Sequence, residues 1–77
     1  MEIKEKVIEL LKGDKNVGLD FNKLKTDYSL NDQGMDSLGK MTLFFGIEEE
    51  FNIEVPDEEV DSVDTIDEIV KLVESKL

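Results

Sequence analysis

Three features of the 77-residue sequence predict an all-α fold. Three segments carry apolar residues at helical spacing, a short acidic segment follows Pro56, and no stretch alternates apolar and polar residues for long. The expected architecture is a small antiparallel four-helix bundle, three main helices plus one short helix, with a long first loop. A chain of this length is expected to form one domain over residues 1–77. Its apolar fraction of 39% is enough for a small core and argues against full disorder.

The first helix is predicted over Met1–Lys12. Ile3, Val7, Leu10 and Leu11 follow the i, i+4, i+7, i+8 rhythm of one buried stripe, and Gly13 is a natural stop. Residues 14–36 have no sustained periodicity and form a connection long for a compact domain. Val17, Leu19, Phe21, Leu24, Tyr28 and Leu30 are expected to pin it over the helices, with a short turn around Phe21–Lys25. The second helix is predicted over Ser37–Phe51, capped by Asp36 or Ser37. Its apolar set, including Leu38, Met41, Leu43, Phe44, Phe45 and Ile47, is wider than one stripe, so this helix should be central and touch neighbours on more than one side. Gly39 and Gly46 each cost about 1 kcal/mol relative to Ala inside a helix and therefore need a reason. Asn52–Pro56 should be extended, since Pro56 keeps Val55 out of helical conformation. Asp57–Asp61 suits a short helical turn with acids at its favourable end. Thr65-Ile66-Asp67-Glu68 is a capping box opening the last helix, whose stripe is Ile66, Ile69, Val70, Val73 and Leu77.

Nine lysines face twenty acids, for a formal net charge of -11. Residues 1–30 are balanced, six lysines against six acids, so the whole excess lies in residues 31–77. Such a surface repels nucleic acid and anionic lipid, and neither is expected as a partner. With no His and no Cys, the side chains for a usual zinc site, a Cys nucleophile or a Ser-His-Asp triad are missing, and so are disulfides. No apolar run approaches the ~20 residues of a membrane span. The N-terminus lacks the apolar core of a signal peptide, so a soluble, cytoplasmic monomer is expected.

Ser37-Leu38-Gly39-Lys40 satisfies a Ser-x-x-Lys pattern, but the companion motifs of the enzymes that use it are absent. Calcium-loop spacings starting at Asp14 or Asp27 lack the required Gly and Glu, and no metal site is expected. Asp36-Ser37 is an ordinary helix cap when taken alone. At the end of a long loop and the start of a broad apolar helix, it also places a hydroxyl where free N–H groups and the helix dipole favour an attached phosphate.

Gly34-Met35-Asp36-Ser37-Leu38, followed by Ile47-Glu48-Glu49-Glu50-Phe51-Asn52-Ile53-Glu54-Val55-Pro56, closely resembles the acyl carrier protein family. The resemblance extends over size, acidity and helix order. It implies a non-catalytic carrier whose Ser37 receives 4′-phosphopantetheine from coenzyme A through a phosphopantetheinyl transferase and Mg²⁺. Acyl groups then ride on the arm's thiol as thioesters, which supplies the sulfur the chain lacks. It implies that Asp36 helps the transferase dock and bind metal. Asp36, Leu38, Met41, Glu48 and Glu49 would meet partner enzymes of fatty acid or specialised lipid and polyketide synthesis, acyl-transferring and condensing enzymes with basic patches. Met41, Phe45, Ile47, Ile53 and Ile69 are candidates for lining an acyl cavity, with core packing as their alternative role.

The sequence departs from the family pattern at several points. Gly39 and Thr42 stand where fatty-acid carriers have acids, Lys40 adds a positive charge between them, and Gln33 replaces a usual Leu. Large Phe44 and Phe45 stand where smaller aliphatics are common. A Gly after Asp-Ser-Leu resembles aminoacyl carriers of the D-alanyl type, the alternative cargo class. Two other readings are a non-covalent acidic interaction module and a small hydrolase using Ser37 and Lys40.

Overall fold

The computed structural model describes residues 2–13 and 19–77. Met1, Val17 and the first calcium-loop position, Asp14, lie outside the described residues. Four helices follow in order: α1 (Ile3–Gly13), α2 (Ser37–Phe51), α3 (Asp57–Ser62) and α4 (Ile66–Lys76). Among the described residues there is no strand. The all-helical bundle with one short helix is the architecture the spacing predicts.

Apolar periodicity sets which faces meet. Val7 and Leu11 bury the stripe of α1, and Ile66, Ile69 and Val73 bury that of α4. α1 packs against both α4 and α2. From α2 the core takes Leu43, Phe44 and Ile47, with Val55 and Val63 added by the segments around α3. Four boundaries differ from the predicted ones. α1 begins at Ile3 and includes Gly13, α3 runs one residue further to Ser62, and Leu77 falls past the end of α4, where it is 67% exposed.

The helix ends follow local chemistry. The Asp36 carboxylate accepts the Gly39 N–H at 2.8 Å, making Asp36 the N-cap of α2 and Ser37 its first helical residue. At α4 the box is reciprocal: Thr65 Oγ1 accepts the Glu68 N–H at 3.1 Å, and Glu68 Oε1 accepts the Thr65 N–H at 3.1 Å. α2 ends at Phe51 and is capped by Asn52, whose φ of 56° is the left-handed closure that Asn tolerates.

The long loop is held by apolar anchors and backbone bonds. Leu30 is fully buried, Leu19, Phe21 and Leu24 are half-buried, and a turn forms at residues 21–22. Tyr28, expected as an anchor, is instead 53% exposed, with Lys25 Nζ 4.5 Å from its ring centre. The Leu30 N–H donates to Asp64 O at 2.9 Å and the Asp67 N–H to Thr26 O at 3.0 Å, which staples the loop to the α3–α4 corner. Gln33 organises the rest. Its Oε1 accepts the Lys25 N–H at 2.8 Å, and its Nε2 donates to Lys25 O at 2.9 Å and Tyr28 O at 3.1 Å.

Candidate functional site

The loop delivers the chain into α2 through a tight turn at residues 30–34, closed by the Met35 N–H donating to Leu30 O at 2.9 Å. Gly34 sits at φ 118°, a conformation that favours glycine. Met35 then buries its side chain, leaving 2% exposed, and the next two residues face outward. Ser37 is exposed at the first position of a 15-residue helix, and its hydroxyl has no hydrogen-bond partner among the described residues. The N–H groups of Ser37 and Leu38 likewise have no protein acceptor among the described residues. The Gly39 N–H is taken by Asp36 and the Lys40 N–H by Asp36 O at 3.1 Å. A free alcohol beside two free N–H groups at a helix N-terminus suits a phosphodiester, whose negative charge those donors and the dipole stabilise.

Among the described residues no basic side chain forms a hydrogen bond with Ser37. Lys40 Nζ donates to the backbone O of Val63, so the side chain spans toward the end of α3 and forms no hydrogen bond with Ser37 among the described residues. Among the described residues no group of three or more acids converges as a metal site.

Gly39 has a packing reason. A Cβ there would lie 3.0 Å from Met35 Cγ, so its absence lets Met35 tuck beneath the start of α2. Gly46 faces α1, where a Cβ would lie 3.3 Å from Leu10 Cδ2. Both glycines line a half-open cavity of about 410 Å³ between α1 and α2, with Leu10, Leu11, Thr42 and Leu43.

The remaining candidate residues separate into three settings. Leu38, Met41 and Phe45 stand on one outer face of α2, 71%, 47% and 62% exposed. Met41 and Phe45 also edge a slot of about 30 Å³ between α2 and α3, with Phe44, Val55, Val60 and the acids Glu48 and Asp57. Ile47 and Ile69 are fully buried in the core and Ile53 is half-buried against it, and these three do not line the slot. Of the acids, Glu49 is exposed and has no ion pair among the described residues. Glu48 is half-buried, and its Oε2 accepts the Val55 N–H at 3.2 Å. Sequence reasoning missed two contributors, Met35 beneath the site and Lys40 as a strut. The signal for the first was a large apolar residue directly before the Asp-Ser pair.

This geometry, an outward serine at the head of a central helix in a small acidic bundle, defines a carrier-type domain. The family profile for phosphopantetheine attachment sites matches residues 3–73. An acyl carrier protein of Wolinella succinogenes is 38% identical over 74 residues, covering 96% of this chain and 91% of that one. One from Bdellovibrio bacteriovorus is 34% identical over 76 residues, covering 97% and 90%. A mitochondrial acyl carrier protein of Neurospora crassa is 33% identical over 75 residues, and the match spans only 56% of its length. In fold, the chain is similar to a hexanoyl carrier from the actinorhodin polyketide synthase of Streptomyces coelicolor. That match has a TM-score of 0.81 at 24% identity and covers 100% of this chain and 92% of that one. The chain belongs to the acyl carrier protein family, whose members hold acyl groups on a 4′-phosphopantetheine arm. Among the described residues no helix is long and apolar enough to cross a membrane.

Proposed function

We propose that Ser37 is the attachment point of the 4′-phosphopantetheine arm, placed there from coenzyme A by a Mg²⁺-dependent phosphopantetheinyl transferase. On this reading the chain performs no chemistry itself. The arm's thiol carries acyl groups as thioesters to acyl-transferring and condensing enzymes. The observation that carries the reading is the exposed Ser37 hydroxyl, without a hydrogen-bond partner among the described residues, beside two free N–H groups at the head of α2. Asp36 supports the site by fixing the first turn and by adding an exposed carboxylate next to the modified residue. Met41 and Phe45, at the edge of the slot, are the residues an acyl chain would meet first, whereas Ile53 packs against the core away from it. The slot beside Met41 and Phe45, about 30 Å³, must widen to admit more than the volume of one water, and Ile47 and Ile69 behind it belong to the packed core.

Incubating the purified protein with coenzyme A, Mg²⁺ and the transferase is expected to add one phosphopantetheinyl group by mass, and Ser37→Ala to abolish the gain. Modification that persists in the Ser37→Ala variant counts against the proposal. The aminoacyl alternative rested on Gly39 after Asp36-Ser37-Leu38. Since Gly39 makes room for Met35, a cargo is not needed to account for it, and the acyl reading is preferred.

A further inference from the structure

One helical turn separates Lys40 from Ser37, and residues three apart on a helix are neighbours. Ser37, Lys40, Met41 and Phe44 recur at i, i+3, i+4 and i+7, so they share the side of α2 that turns toward α3. On that side Met41 and Phe44 line the slot, and Lys40 Nζ donates to the Val63 carbonyl just past the end of α3.

The Lys40 ammonium has donors to spare. An ammonium carries three N–H groups, and here one of them goes to Val63 O. Among the described residues the others meet no protein acceptor, and Lys40 forms no ion pair, whereas Lys4, Lys6 and Lys76 each meet a carboxylate. That is unusual for a half-buried cation in a chain with twenty acids. Asp36, four residues back on the same helix, uses its Oδ1 to accept the Gly39 N–H. At the edge of the slot stand Glu48 and Asp57, which repel an anion. A phosphodiester on Ser37 therefore meets attraction at the Lys40 end of this side and repulsion toward the other.

We infer that Lys40 is a positioning residue for the 4′-phosphopantetheine arm: with Val63 O held by one N–H, its ammonium donates the others to the phosphodiester on Ser37 and seats the root of the arm at the α2–α3 junction. The inference rests on Ser37 being the modified residue. Hydrogen bonds from an ammonium to a phosphate are charge-assisted, and roughly twice as strong as neutral ones. The bracket also joins the arm to α3, a six-residue helix none of whose residues is buried, so loading steadies that helix.

The test compares apo and holo protein for wild type, Lys40→Met, Lys40→Arg and Lys71→Met, the last a substitution of an exposed lysine on α4. Phosphorus NMR reads the arm's phosphate, amide hydrogen exchange reads α3, and circular dichroism checks the fold. The phosphorus resonance of the holo protein should move in Lys40→Met, return most of the way in Lys40→Arg and keep its wild-type position in Lys71→Met. Loading should slow exchange of the Val60 amide, which donates to Pro56 O at 3.1 Å, by about fivefold in wild type and leave it unchanged in Lys40→Met. A phosphorus resonance identical in wild type and Lys40→Met overturns the inference and leaves the Ser37 reading intact. So does an equal displacement in Lys71→Met, since the phosphate would then sense only the overall charge. The exchange comparison in wild type needs no substitution, so a Val60 amide unaffected by loading overturns the bracket even where Lys40→Met fails to fold. Absence of any Ser37-dependent mass gain in wild type removes the proposed attachment site itself.

Discussion

Lys6 of α1 and Glu50 of α2 meet at 2.6 Å, and Glu9 adds a second carboxylate 3.6 Å from the same Lys6 nitrogen. The pair clamps the far end of the central helix, so it acts on packing between α1 and α2 and not on the Ser37 end.

The hydrogen bond from Lys6 to Glu50 is the main reason the Lys6 pKa rises above its ordinary 10.5. A cation favoured in the folded state stabilises fully at pH values below that ordinary pKa. Its contribution disappears as pH rises through the elevated folded value. The melting temperature of wild type should therefore exceed that of Lys6→Met at neutral pH, and the two should converge above pH 10.5. A gap that stays constant into that alkaline range would assign the difference to the lysine's aliphatic stem.

Gln33→Leu should loosen the long loop. The substitution removes an amide that both donates to and accepts from Lys25, and donates to Tyr28 O as well. At about 0.5–1.5 kcal/mol net per hydrogen bond, an unfolding loss of about 1–2 kcal/mol is expected, because the exposed partners recover water. Faster hydrogen exchange at the Lys25 amide is the specific sign, and unchanged exchange there would contradict the role given to Gln33.

Ile69→Ala and Met41→Ala should differ in cost. Ile69 is fully buried, so its truncation is expected to cost about 2–5 kcal/mol by chemical denaturation. Met41 is 47% exposed and should cost less than about 1 kcal/mol. Near-equal losses would show that Ile69 borders open space rather than packed core.

Gly46→Ala should stabilise the fold by up to about 1 kcal/mol through helix propensity. The new Cβ would crowd only the terminal methyls of Leu10, 3.3 Å away at the closest, and those belong to a side chain able to rotate aside. A destabilised variant would mean that Leu10 is held in place by its neighbours.

Local signals were the legible ones. Thr65 and Glu68 form the capping box their spacing predicts, and Asp36 caps α2, because each bond spans only three residues. The apolar stripes of α1 and α4 chose the correct faces. The wide apolar set of α2 predicts contact with several neighbours. Periodicity alone does not separate Leu43, Phe44 and Ile47, which enter the core, from Leu38, Met41 and Phe45, which stay outside. Contacts distant in sequence were invisible for the same reason. Lys40 reaches a carbonyl 23 residues away, and Glu48 meets a backbone N–H across the α2–α3 bend. Gln33 looked like a departure from a family pattern because the hydrogen bonds that explain it form only once the loop has folded.

The backbone staples from Leu30 to Asp64 and from Thr26 to Asp67 join the approach to Ser37 to the opposite half of the molecule. On the proposed Ser37 reading, a tether rooted there would swing from a base stapled to the far half of the bundle, so its reach would come from its own torsions.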